Sequence, residues 1–433
     1  MTASSQWHHV GGSEGLEKTR LKLGFIPLTD CAPLVIALEK GLFRKYGLDV
    51  ELSRQVSWAN IRDKVAVGAL DGAHMLAAMP IATSLGLGEI KIPLVAALSL
   101  DLNGNAITVS KDLYRRMADA DPGALADGRR SGHALAKVVA AERDPMHFAM
   151  VFPFSTHNYL LRYWLATAGI VPERDILLTV VPPPYMVEAL RSGDIDGYCV
   201  GEPWNEQAVA ADVGRALIAD YDIWNNHPEK VFGVTLEWAE AHPNTHKTVL
   251  MALLEAAAWI DLPENREEVV SILARDPYIP APPDVVRMSM SGSFRHGNDA
   301  EPQAMPDFNV FHRYAANFPW HSHGVWFITQ MYRWGQIDEP VNIRKLAEQV
   351  YRPDLYREAA RALGLAVPIQ AYKTEGLHDG PRLLDQATKP VQLGADCFCD
   401  GRVFDPADPV GYLAGFEIHN LKLSLDDLAG VNP

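Results

Sequence analysis

Cysteine is scarce in this chain: four in 433 residues, at Cys31, Cys199, Cys397 and Cys399. So few thiols exclude a disulfide scaffold, and the Cys397-Phe398-Cys399 spacing suits neither a zinc knuckle nor a thioredoxin-type pair. Reduced thiols are expected. Positive charge is short as well: 39 Lys and Arg stand against 54 Asp and Glu, a formal charge of −15. That balance argues against a nucleic-acid binder with its basic face, although an acidic protein still has room for a locally positive anion pocket. Nowhere does the chain hold the roughly 18 uninterrupted apolar residues of a membrane span. Its start, MTASSQWHHVGGSEGLEKTR, lacks a basic stretch followed by an apolar one. The expectation is a soluble, cytoplasmic protein with no membrane contact. Missing too are a Walker loop, HExxH, a nucleophile elbow and a GxGxxG opening a helix.

What is there is an ordinary globular composition, 48% hydrophobic and 21% charged, with enough length to bury a core in two or three domains. Residues 1–19 are polar and Gly/Ser-rich, a flexible arm in which His8-His9 is incidental. LKLGFIP is predicted as a strand, CAPLVIALEKGLFRKYG as one helix closed at Gly47, and LDVELSRQ as a strand. Ser57 caps a helix over WANIRDKVAVG, then LDGAHML and IKIPLVAALSL are strands. This alternation predicts an α/β fold with mainly parallel sheets. A second series follows through NAITVSK, HFAMVFPF, STHNYLLRYWLATAG, DILLTVVPPP, IDGYCVG and EPWNEQAVAA. Beyond residue 235 helix follows helix, and past Pro368 the tail is irregular.

The pentapeptides GALDG (68–72) and GDIDG (193–197) close an amphipathic run in each series. They predict the same turn in two lobes facing across a cleft, a preferred place for a small ligand. Asp71 and Asp196 then brace the turn, and the residues just beyond, from His74 and from Cys199, face the ligand. The expected division is 20–105 for the first lobe and 106–230 for the second. Residues 231–433 return to the first lobe with a helical extension.

Three helix starts carry the chemistry. The first turn of a helix offers free N–H groups and partial positive charge to an anion. His157 follows Ser155-Thr156 in FPFSTHNY, Trp58 follows Ser57, and Glu202 and Trp204 open a third helix. Each has a plainer reading, as a cap or a core aromatic. Lys230 in HPEKVFGV is a solvated lysine or, if buried beside those starts, the neutralising cation. His321 and His323 form an H-x-H pair without acidic or thiol neighbours, so packing is preferred over a metal site. The aromatic stretch 301–336 is expected to be an inter-domain or partner contact.

Long stretches in one order resemble the nitrate/bicarbonate-binding family of ABC-transporter solute-binding proteins. These are LGFIPLTDCAPLVIALEKGLFRKYGLDVEL, SWANIRDKVAVGALDGAHMLAAMP, LNGNAIT, FPFSTHNYLLRYWLATAGI, VVPPPYMVEALRSGDIDGYCVGEPWN and HPEKVFGVTLEWA. The resemblance, from about residue 21 to about 410, implies a two-lobed periplasmic-binding-protein (type II) C-clamp around one oxyanion, with neither cofactor nor metal. It places Trp58, Asn105, Thr156, His157 and Lys230 on the ligand; Pro183, Gly201 and Glu202 are added from their expected position at the cleft. Lysine at position 230 implies nitrate or nitrite, since bicarbonate binders of the family carry an acidic residue there. The chain departs from the family's usual pattern at Asn105, where glutamine is common, and at Phe154 and Ser155, where two glycines are. Without a signal or lipobox cysteine the resemblance falls to the cytoplasmic nitrate/nitrite sensor branch (NasS type). Its partner is an RNA-binding antiterminator (NasT type), released when the ligand binds. The alternatives are a transporter's solute-binding component and an enzyme of the thiamine-precursor kind. The latter needs a reactive lysine or Cys-His cluster, and none is evident.

Overall fold

The apolar runs of the sequence become strands and the amphipathic runs become helices in the computed structural model, which describes residues 15–88 and 90–432. Strands β1 (Arg20–Phe25), β2 (Asp49–Arg54), β3 (Gly72–Leu76) and β4 (Leu94–Ser99) come first. A short β5 (Leu102–Asn103) lies at the first crossing. Next come β6 (Asn105–Ser110), β7 (Met146–Met150), β8 (Ile176–Val180), β9 (Gly197–Gly201) and β10 (Gly214–Ala219), and β11 (Lys230–Thr235) returns to the first sheet. The sheets have the orders β2-β1-β3-β11-β4 and β10-β6-β9-β7-β8.

Each sheet is mixed where mainly parallel pairing was expected, because β11 runs antiparallel to β3 and β4, and β6 antiparallel to β9 and β10. The reversed strand is in both cases the first after a crossing. A chain arriving from the other lobe enters at the cleft end of the sheet, opposite to the end from which its neighbours start. The reversal is thus a consequence of crossing twice.

The two pentapeptides do form the same turn. Asp71 donates its N–H to the Lys22 carbonyl (2.9 Å) and accepts the Lys22 N–H on its carboxylate (2.9 Å). Asp196 does the same with His147, at 2.7 and 2.8 Å. The following glycines are equivalent as well: a Cβ at Gly72 would lie 2.7 Å from Phe232, and one at Gly197 2.6 Å from Phe148. Two residues on, His74 and Cys199 point into one buried region from opposite lobes.

Other expectations need correction. The helix read through to Gly47 is two, Ala32–Glu39 and Leu42–Lys45, because Gly41 takes a left-handed φ of 68° between them. Of the expected flexible arm, residues 1–14, with His8-His9, lie outside the described residues. Glu17, by contrast, is fixed by the Asn244 and Thr245 N–H groups at 3.1 and 2.8 Å. Of the two readings of the aromatic stretch the inter-domain one holds: Trp326 and Phe327 pack against Tyr159 of the helix Thr156–Thr167, at 6.4 and 6.1 Å between ring centroids. The helix His321–Arg333 of that stretch is buried from Ser322 onward, with Trp326 packed 4.6 Å from Trp224, ring to ring. The tail braces the return crossing: Asn225 N–H donates to the Cys397 carbonyl (2.9 Å), and Cys399 N–H to the Ile223 carbonyl (2.8 Å).

Candidate functional site

From the first lobe, Ser57 caps the helix Trp58–Ala66 by accepting the Asn60 N–H (3.2 Å), which sets Trp58 at its first position. The indole stands edge-on to His74, with centroids 5.2 Å apart. His74 takes the Ile26 N–H on Nδ1 (3.4 Å) and turns Nε2 to Asp30, 2.8 Å away. From the second lobe, Ser155 caps Thr156–Thr167 through the Asn158 N–H (3.0 Å), placing Thr156 and His157 in the first turn. Asn105 opens β6 beside Gly201 and Asp220.

Lys230 is the centre of the arrangement. Its backbone N–H binds the Asp101 carboxyl at 2.9 Å, and its ammonium lies 2.6 Å from Asp30, against Glu229, and 5.6 Å from the Trp58 ring centroid. His74, Asn105, Thr156, His157, Glu229 and Lys230 are all 0% exposed, so the cleft is shut. Three contacts close it across the lobes: Thr29 N–H to the Glu202 carbonyl (2.8 Å), the Thr156 hydroxyl to the Pro228 carbonyl (3.1 Å), and His157 Nδ1 to Glu229 Oε1 (3.4 Å).

Burial divides the titratable groups. It pushes His157 and His227 down to about 4, keeping both neutral at physiological pH. It lifts Asp220 to about 8, and with the charge of Asp30 it raises Asp101 well above the usual carboxylate range. Asp30 resists burial because Lys230 and His74 lie against it, and Glu229 resists because of His157 and Lys230; both are lowered. Lys230, opposed by burial, is held above its usual value by Asp30 and Glu229. The Cys199 thiol points at Asp220 (3.3 Å) and is raised by burial, so it is no thiolate nucleophile.

Among the described residues several buried polar atoms here find no hydrogen-bond partner: the donors Trp58 Nε1 and Asn105 Nδ2, both ring nitrogens of His157, and the acceptors Asn105 Oδ1, Asp30 Oδ1 and Glu229 Oε2. Buried polar atoms of this kind are normally satisfied, and a ligand that only accepts matches the donors among them: the Trp58 indole N–H, the Asn105 amide N–H and the one N–H of a neutral His157. Among the described residues no group of His, Cys, Asp and Glu is placed to hold a metal ion.

The structure therefore brings Trp58, Asn105, Thr156, His157, Gly201, Glu202 and Lys230 to one closed interface, with differing parts. Thr156 spends its hydroxyl on Pro228, and Glu202 turns its carboxyl to the Glu206 N–H (3.1 Å), with burial lifting it to about 8. A Cβ on Gly201 would lie 3.2 Å from Asn105 Oδ1 and 3.4 Å from Asp30 Oδ2, so backbone passes close to the polar centre there. Pro183 opens a turn after β8, and no hydrogen bond joins it to the cluster. Sequence reasoning missed Asp30, Asp101, Asp220, His227 and Glu229. The available signal was an acid directly after an apolar strand, as in VAALSLD and ALIAD.

Two lobes of mixed α/β sheet, crossed twice by the chain and shut on a buried polar centre, define the periplasmic-binding-protein fold. The chain belongs to the NMT1-like family, whose model matches residues 14–274. It is 42% identical over 436 residues to the nitrate import ATP-binding protein NrtC of Synechocystis, covering 99% of this chain and 60% of that one. It is 41% identical over 409 residues to the bicarbonate transport ATP-binding protein CmpC of the same organism, covering 94% and 56%. It thus spans little more than half the length of these relatives. Among solved structures, the periplasmic nitrate-binding protein NrtA from Synechocystis superposes with a TM-score of 0.81 at 34% identity, covering 93% of this chain and all of that one.

Proposed function

We propose that this chain binds nitrate or nitrite between its lobes and performs no chemistry on it. The observation that carries the reading is a fully buried ammonium, Lys230, among unpartnered donors from both lobes: Trp58, Asn105 and His157. Nitrate and nitrite only accept hydrogen bonds, which is what such a set requires. The relatives include nitrate and bicarbonate proteins at nearly equal identity, so the preference for nitrate rests on Lys230. A ligand bound by the folded state alone stabilises it by about 2.7 kcal/mol at a hundred times its Kd. The unfolding temperature is therefore expected to rise with added nitrate but not with equal chloride. Equal shifts from the two salts would remove the reading.

The finer reading is a cytoplasmic sensor of the NasS type, which on closing over nitrate or nitrite lets go of an RNA-binding antiterminator of the NasT type. The sequence resemblance supports it, and so does a clamp whose closure reshapes its outer surface. Coupling of this kind is reciprocal, so the partner weakens the anion's binding as much as the anion weakens the partner's. Co-elution of the pair that nitrate disperses is the expected result. Native protein recovered from the periplasm, with a permease as its partner, would instead make it the solute-binding component of a transporter.

A further inference from the structure

The charges around Lys230 do not balance for an anion. On the first lobe and the return crossing lie Asp30, His74, Asp101, His227, Glu229 and the Tyr351 phenol; on the second lie His157, Cys199 and Asp220. Lys230 is the one permanent cation among them. It is already shared by Asp30 at 2.6 Å and by Glu229, while burial raises Asp101 and Asp220 and lowers the histidines, which favours the neutral form of each at pH 7. The closed centre thus carries one net negative charge before any ligand arrives. An oxyanion would add a second where uncompensated buried charge is most costly.

The geometry of His157 supplies a remedy. Its Nδ1 lies 3.4 Å from Glu229 Oε1, across the lobe boundary, and its Nε2 has no partner. A neutral imidazole has a single N–H and serves either Glu229 or the ligand; the imidazolium has two and serves both. The residues that face His157 are Glu229, Lys230, Asp30 and His227. Burial is the strongest opposition to its protonation, and of these residues Lys230 and the neutral His227 add to it. Glu229 and Asp30 favour it, so the ligand's negative charge has to supply the rest.

We propose that this oxyanion site is also a proton site: one anion and one proton are taken up together, the proton held on His157 between Glu229 and the ligand. The proposal rests on the oxyanion reading above. Closing the lobes then brings together three parts, the anion, the proton and the His157–Glu229 contact, and the bound centre has the same net charge as the free one.

The test is calorimetric titration of the whole chain with potassium nitrate at pH 7, below the range in which Asp220 and Glu202 ionise, in phosphate and in imidazole, whose heats of ionisation differ. The difference in apparent heat gives the protons taken up per nitrate. A value near one is expected, with apparent Kd rising about tenfold per pH unit. Measurable nitrate binding with no proton uptake would overturn the proposal and leave the oxyanion reading intact; absence of any nitrate heat or thermal shift from pH 6 to 9 would remove both. In a folded Glu229→Gln variant the uptake is expected to vanish and the Kd to become independent of pH. Retention of one proton per nitrate there would refute the assignment to this pair. Should that variant not fold, His157→Gln, which keeps one donor but cannot hold the proton, is expected to show the same loss, and its retention of the uptake would refute it equally.

Discussion

Trp58 shows how a single atom separates binding from packing. The indole fills the space beside His74 while its N–H meets no acceptor among the described residues. Trp58→Phe keeps an aromatic ring and deletes that donor. A hydrogen bond to a charged group is worth about 1.5–3 kcal/mol, so nitrate affinity by calorimetry is expected to fall at least tenfold. Urea unfolding would report the separate cost of the smaller ring. Unchanged affinity would place the anion elsewhere. At this scale the sequence pattern marks Trp58 and His157 as helix starts and Lys230 as a crossing, while Asn105 was indicated only by the family resemblance. The pattern concealed the acids. Asp30, Asp101 and Asp220 each follow an apolar run, where a surface turn is the ordinary expectation, and only the meeting of two lobes buries them at 3% exposure or less.

At the scale of elements, the paired turns matter most. Asp71 and Asp196 bind the neighbouring strand through matching hydrogen bonds, and each glycine that follows admits an aromatic ring where a Cβ would collide. Overpacking at such positions costs about 1–3 kcal/mol. Gly72→Ala and Gly197→Ala are each expected to lower the unfolding free energy by that much, read as a lower urea midpoint at unchanged slope. A neutral outcome for both would mean that Phe232 and Phe148 have room to yield. The turns were legible because a five-residue pattern repeats with the same chemistry. The mixed sheets were not, since a buried apolar strand looks alike whichever way it runs. Nor was the break at Gly41, where a glycine inside a helical pattern is as easily tolerated as used for a stop.

For the whole molecule, closure gathers groups whose titration should be visible in stability. Glu202 and Asp220 are raised to about 8 from ordinary values of 4.5 and 3.8. The stability they give is therefore whole at acid pH and is lost as pH rises to about 8. His157 and His227, lowered from 6.5 to about 4, act oppositely: their contribution is whole above 6.5 and is lost as pH falls through about 4. Between pH 6.5 and 8 the carboxyls alone count, each giving up to about 1.4 kcal/mol per pH unit. The ligand-free protein is expected to unfold at progressively lower temperature across that interval. A flat profile would show both carboxyls ionised in the folded state. Two lobes with a shared cleft were foreseeable from the repeated turn; that the tail would lock the return crossing through Cys397 and Cys399 was not, because no local pattern marks a long-range brace.

The most direct measurement is calorimetric titration of nitrate, nitrite, bicarbonate and sulfate into the purified chain and into Lys230→Glu. The expected result is binding of nitrate or nitrite by the native protein, weaker or no binding of bicarbonate and sulfate, and loss of nitrate binding in the variant. A native protein that prefers bicarbonate, or a folded variant that still binds nitrate, would contradict the role given to Lys230 and to the closed cleft around it.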